Sequence, residues 1–186
     1  MYRYSPYEML ANDIDWFFKT SDNKAIHAAS AGGLIPRFVQ KKRNREILIR
    51  VREKLDPIYK ELIDSFGNEF YWEKLYSEIN INKESLRRVE NQQKKFRSSP
   101  EALSSNPKWQ KEYLMSFCSM AKCGFISFDR MNVEDSYDGR YQQIADGSQK
   151  KLDIEIFALL PEINVSLDEI KNENANWVDL LNERSL

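Results

Sequence analysis

Between Asp13 and Thr20 polar and apolar positions alternate: Ile14, Trp16 and Phe18 project one way, Asp13, Asp15 and Phe17 the other. A period of two is the mark of a half-buried strand. "SDNK" follows, rich in residues whose side chains bond their own backbone and so favour turns. "AIHAASA" is a short apolar return strand, and the pair predicts a β-hairpin. Gly32 and Gly33 then end the pairing, because glycine adopts backbone angles that other residues resist. From about Gln40 the period becomes helical, with Ile47, Val51, Leu55, Ile58, Leu62 and Phe66 in one stripe. Asp56-Pro57 interrupts it. Aspartate as a cap and proline at the first helical position predict two successive helices, broken or kinked there, the second ending at Gly67.

"EFYWEKLYSEI" predicts a short aromatic helix, and "NKESLRRVENQQKKF" a solvated one capped by Asn82. "RSSPEALSSNP" is a loop rich in serine and proline. Asn106-Pro107 repeats the cap-plus-proline signature and opens a helix with Trp109, Tyr113, Phe117 and Met120 on one face, ended by Gly124. "FISF", "RYQQIA" and "LDIEIFALL" then predict three strands; in the last, Leu152, Ile154 and Ile156 face inward. Ser166 and Glu169 form a capping box before a short helix, and Trp177, Leu180 and Leu181 dock a helical tail. Strands and helices are thus segregated along the chain. The expected class is α+β: an antiparallel sheet made of the N-terminal hairpin and three C-terminal strands, with a block of helices (about 40–123) inserted on one face. Residues 1–186 are expected to form a single domain.

A chain of 186 residues, 41% hydrophobic and 12% aromatic, has the material for a sizeable core. The N-terminus, rich in tyrosine, lacks the apolar stretch of a secretory signal, and no apolar run approaches a membrane span, so a cytoplasmic location and no membrane partner are expected. The net charge of −1 hides an asymmetry. Residues 1–128 carry 22 Lys/Arg against 16 Asp/Glu, and residues 129–186 carry 6 against 13. Such a division can mark a charged interaction surface.

Few patterns suggest chemistry. Cys118 and Cys123 match no zinc spacing, and one histidine cannot complete a four-ligand set with them. His27, the only histidine, has no acidic or nucleophilic neighbour at a recognised spacing and reads as a packing residue. The carboxylate pairs Asp13/Asp15 and Asp153/Glu155 read as solvated strand faces. "DRMNVEDSYDGR" lacks the spacing of a calcium loop, and no phosphate-loop, dinucleotide or G-x-S-x-G pattern occurs. No catalytic residue, metal or cofactor is therefore expected. Two basic runs stand out: eight Lys/Arg from Arg37 to Lys54, and six from Lys83 to Arg97. Basic helices can neutralise phosphates, which makes a nucleic-acid-binding or regulatory module the alternative function.

Two stretches, "DWFFKTSDNKAIHAASAGGLIP" and "AKCGFISFDRMNVEDSYDGRYQQIA", resemble segments of small, uncharacterised cytoplasmic bacterial proteins. Some of those look like immunity proteins encoded beside secreted antibacterial toxins. The chain departs from them in having Asn23-Lys24 in the first turn in place of a glycine, and the larger Phe18 after D-W-F. The resemblance implies a non-enzymatic binding protein that neutralises a cognate protein toxin, and it supplies no catalytic residues. The acidic loops after residue 128 are then the expected contact for a basic toxin, through Asp129, Glu134, Asp135, Asp138 and Asp146. Nucleic acid is not the expected partner on this reading, and oligomeric state is left open.

Overall fold

A computed structural model describes residues 4–96, 107–132, 134–172 and 174–185, with the side chains of 93–96 and 107 excepted. The serine-rich loop expected at 97–106, and the Asn106 cap, lie outside the described residues. The described residues form eight helices and four strands: α1 (Pro6–Ala11), β1 (Asp15–Lys19), β2 (Ala25–Ala29), α2 (Lys41–Asp64), α3 (Glu69–Glu78), α4 (Lys83–Phe96), α5 (Pro107–Lys122), β3 (Ile126–Arg130), β4 (Tyr141–Asp146), α6 (Ile154–Leu159), α7 (Leu167–Ile170) and α8 (Trp177–Arg184). The class is α+β, and one sheet runs β1-β2-β3-β4.

The outer pairs are antiparallel hairpins, as the alternation predicts, but β2 and β3 run parallel. Parallel neighbours need a crossover, and the helical block is that crossover. The expectation of a wholly antiparallel sheet fails here because the direction in which a long helical excursion re-enters a sheet is not written in strand periodicity.

Residues 152–160 are also corrected. They are not a third C-terminal strand but the start and body of α6. The Asp153 side chain accepts from the amides of Glu155 (2.9 Å) and Ile156 (3.4 Å), nucleating a helix where alternation suggested extension. The buried positions are Ile156 and Leu160, four apart, while Ile154 is 78% exposed.

The predicted break at Asp56-Pro57 is absent as well, since α2 continues through Pro57. Val51, Leu55 and Leu62 stay in phase and buried across it, while Glu53 and Pro57 face solvent. The carbonyl that proline leaves without an amide partner can therefore bond water. Asn82 caps α4 as expected, accepting from the Glu84 and Ser85 amides at 3.1 Å, and the Ser166–Glu169 capping box forms.

Helices do not cover one face alone. On one side Phe17, Ala25, Ala29, Ile144 and Ala145 pack against α2 to α5. On the other, Trp16, Phe18, Phe128 and Tyr141 meet the C-terminal segment through Ile163, Ile170, Trp177 and Leu181. Trp177 stacks on Tyr141 with ring centroids 4.7 Å apart, and meets Trp16 edge-on at 6.0 Å. Both sheet edges are partly covered, which reduces the hazard of strand addition. Lys19 of β1 bonds Pro161 and Ile163, and on β4 the Ile144 carbonyl and Asp146 amide are taken by Asn82 and Ile79.

Trp16 is fully buried at the centre of this aromatic layer. Its replacement by alanine should cost about 3–5 kcal/mol, measured by denaturant unfolding. A loss under about 1 kcal/mol would place the hairpin outside the core.

Candidate functional site

The strand directions bring several chain segments to one end of the sheet. β1 starts there, β2 and β3 end there, and the 131–140 loop that joins β3 to β4 sits beyond them. On the helical side of this end is a cleft of about 310 Å³, walled by Asp13, Asp15 and Asp129 and by Tyr113, Ser116 and Phe117 of α5, with Val89 and Gln92 of α4 over it. Asp13 stands at the mouth, Asp15 is about one-third exposed (34%), and Asp129 is buried.

Each carboxylate is held differently. Asp13 accepts from the Ala31 amide at 2.7 Å, yet burial, with the charge of Asp15, pushes its carboxyl above the ordinary range. Burial works to raise Asp15 too, but the hydrogen bond and field of His27, with Arg52 beyond, outweigh it and hold Asp15 low. Asp129 accepts from the Tyr113 hydroxyl at 2.6 Å and from the Arg130 amide at 2.8 Å. Burial outweighs those bonds, and Asp13 adds to it, so the Asp129 carboxyl is pushed up to about 6.

His27 lies under the cleft, fully buried. Its Nε2 is 3.0 Å from Asp15 Oδ1 and its Nδ1 3.2 Å from Ser127 Oγ. A carboxylate only accepts, so the ring donates from Nε2. Ser127 is directly across the β2–β3 pair, one hundred residues away, and Asp15 is two positions from the hairpin partner Phe17. The sequence spacing of His27 hid both neighbours because the fold supplies them across strands. An Asp-His-Ser line has the components of acyl-transfer chemistry, but Ser127 is 0% exposed and Phe17 and Phe117 lie against the imidazole. The line satisfies buried polar groups on the helical face of the sheet.

The 131–140 loop is tied down by Arg130, which is 1% exposed. Its guanidinium donates to the carbonyls of Ser30 (3.1 Å), Asn132 (2.9 Å) and Asp135 (3.2 Å), joining the exit of β2 to the loop after β3. Gly33 makes room for it: a Cβ there would stand 1.7 Å from Arg130 Nη1. The glycine pair that follows the hairpin thus serves the fold. Further bonds shape the loop. Asn132 Oδ1 accepts from the Glu134 amide (3.1 Å), Asp135 Oδ1 from the Tyr137 amide (2.9 Å), and Asp138 pairs with Arg140 at 2.6 Å.

The five acidic residues expected to meet a partner are therefore dispersed. Glu134 and Asp135 are exposed on the loop, beside Tyr137, which is 69% exposed. Asp138 is turned into its pair with Arg140, and Asp129 points into the cleft from within the sheet. Asp146 is at the opposite end of β4, facing Ile126, where it accepts from the Ser148 amide. Sequence reasoning missed Asp13 and Asp15 as partners of Asp129, and it missed Tyr113 and Tyr137. The D-x-D alternation at 13–15 was the available signal, but only the β2–β3 pairing brings it to Asp129. Among the described residues no three His, Cys, Asp or Glu side chains converge to hold a metal ion, and no helix is long and apolar enough to cross a membrane.

Asp129 binds its proton more tightly folded than unfolded. Its contribution to stability is present below about pH 4 and lost as the pH rises to about 6, a change on the order of 2–3 kcal/mol. Asp129→Asn stays neutral and keeps an acceptor for Tyr113. The difference in unfolding free energy between wild type and variant should therefore move in favour of the variant between pH 4 and 6.5; a difference that does not vary with pH would refute this titration. His27→Gln should lower stability by about 1–3 kcal/mol through the loss of its bonds to Asp15 and Ser127, while leaving biological activity within a few-fold. A folded variant with abolished activity would give His27 a direct role. Compared with known proteins, the chain matches no protein-family model, no curated protein and no solved structure.

Proposed function

We propose that the chain is a non-enzymatic binding protein, an immunity protein that captures and neutralises a toxin whose contact surface is basic. The observation that carries this reading is the 131–140 loop: two exposed carboxylates, Glu134 and Asp135, precede an exposed Tyr137 on a backbone held by Arg130. A preorganised loop avoids much of the ordering cost of association. An exposed aromatic residue among like charges also has the composition of an interface anchor. The acidic balance of residues 129–186 supplies a field that speeds encounter with a basic surface. The sequence resemblance to small bacterial proteins, some of which look like immunity proteins, points the same way. The inaccessibility of Ser127 weakens the case for catalysis at the His27 line. A cytoplasmic site of action belongs to the same proposal.

A second reading draws on α2. Lys42, Arg45 and Arg52 are exposed on one side of that helix around Ile49, itself 51% exposed, and Arg50 is beside them. Glu46 and Glu53 share that side, so it is the cluster of Lys42, Arg45, Arg50 and Arg52 within it that suits an acidic partner such as nucleic acid. Other cations of the first basic run are engaged: Lys41 with Glu8, Arg43 with the Leu159 carbonyl, and Lys54 with Asp153. Lys94, Lys95 and Arg97 of the second run are outside the described side chains.

Co-expression with the product of the gene immediately upstream should relieve that product's toxicity, and the two should co-purify. With the pair in hand, Glu134→Lys should slow association several-fold and flatten its salt dependence, and Tyr137→Ala should speed dissociation. Unchanged kinetics in both variants, together with a nucleic-acid gel shift that weakens steeply with salt and is lost on charge reversal at Lys42 and Arg45, would move the function to α2.

A further inference from the structure

The cleft at the strand ends is more than an acidic patch. Of the ten residues that line it, three are aspartates and none is Lys or Arg. The guanidinium groups of Arg52 and Arg130 act on Asp15 and Asp129 only through their fields, and Arg130 otherwise gives Asp129 its backbone amide. A second, independent feature adjoins it. Gln142 is directly across from Asp129 in the β3–β4 register, so its side chain leaves the sheet on the same side, beside Asp129. Gln142 is 1% exposed, and neither its amide oxygen nor its amide nitrogen has a partner. A buried amide left so is uncommon and wants a hydrogen-bonding partner. Part of the remaining wall is aromatic, with Tyr113 and Phe117 at 5.2 Å between ring centroids.

These features select among cations. A metal ion is disfavoured, because the acidic groups do not converge on one point. An ammonium is a compact, strongly hydrated charge with three donors but no plane to lay against the aromatic rings. A guanidinium is planar, carries five donors in a fixed fork, bridges carboxylates and stacks on aromatic rings. We propose that the cleft receives an arginine side chain of the protein partner, its guanidinium held between Asp13, Asp15 and Asp129 against the Tyr113 and Phe117 rings. This rests on the binding-protein reading above and adds a cationic anchor beside the acidic loop. The loop then steers encounter, and the cleft prolongs the complex.

N-acetyl-arginine amide serves as the probe, with N-acetyl-citrulline amide, of the same shape but uncharged, as its control; binding is followed by NMR shifts. The arginine compound should bind at least fivefold more tightly than the citrulline compound. Ser116→Phe fills the cleft from a half-exposed position, and Asp13→Asn removes charge at its mouth; each should weaken the arginine compound at least fivefold. Against the protein partner, Ser116→Phe should raise the dissociation rate while Glu134→Lys lowers the association rate. Equal binding of the two compounds, or an arginine affinity that Ser116→Phe leaves unchanged, would overturn the proposal even if the partner still binds through the loop. Arginine binding blocked by Ser116→Phe in a protein whose partner affinity does not change would assign the cleft to free arginine-like molecules and overturn the anchor. Failure of the upstream gene product to bind, with arginine binding intact, would count against the toxin reading alone.

Discussion

Two strands whose facing residues, His27 and Ser127, are one hundred positions apart lie parallel at the middle of the sheet. That pairing requires the intervening chain to return to the end from which β2 starts. Helices α2 to α5 make the return journey, and in doing so they cover one face of the sheet. The opposite face is left to the C-terminal segment, which supplies Trp177 and Leu181. The same geometry decides where polar groups collect. Because β2 and β3 finish together, the start of β1, the exit of β2 and the loop after β3 share one end, and Asp13, Asp15 and Asp129 meet there without being near in sequence.

The helical face of the sheet carries a polar seam. Asp15, His27 and Ser127 form one part of it, and Tyr113, Asp129 and the Arg130 amide the other. Buried hydrogen-bonded groups of this kind contribute modestly when paired and cost heavily when one member is missing. They therefore act mainly on register. A one-residue slip of β3 against β2 would send Ser127 and Asp129 into the Trp16–Trp177 layer and leave His27 facing an apolar side chain. Arg130 adds a second register pin, since its guanidinium reaches the Ser30 carbonyl only when β3 is seated as observed and Gly33 stands aside.

Local signals were legible where they were strong. The 13–31 hairpin, the caps at Asn82 and Ser166, and the docking of Trp177 and Leu181 all follow from periodicity and side-chain chemistry. Signals with two physical meanings were misread. In "LDIEIFALL" alternation and an N-cap compete, and Asp153 decides for the helix. At Asp56-Pro57 a helix start and a tolerated interior proline look alike until the packing of Leu55 and Leu62 is known. The candidate site was the least legible part, because its members come from β1, β3, α4 and α5, and no spacing in the sequence encodes a contact between strands a hundred residues apart. Glu134 and Asp135 were within reach of sequence reasoning as loop acids; the exposure of Tyr137 and the turning away of Asp138 and Asp146 were not.

The long crossover also sets an order of events during synthesis. The 13–31 hairpin leaves the ribosome early, but the strand that must pair with β2 follows about a hundred residues later. At typical elongation rates that is a delay on the order of 5–20 s. Throughout it, the side of β2 that will meet β3 is an unpaired edge, and Trp16 and Phe18 have each other and Phe38 but lack Phe128, Tyr141 and Trp177. Such non-local pairing also slows folding of the finished chain. A nascent chain of this design depends on chaperones or on early collapse of α2 onto Phe17 to keep its first hairpin from pairing with a neighbour's.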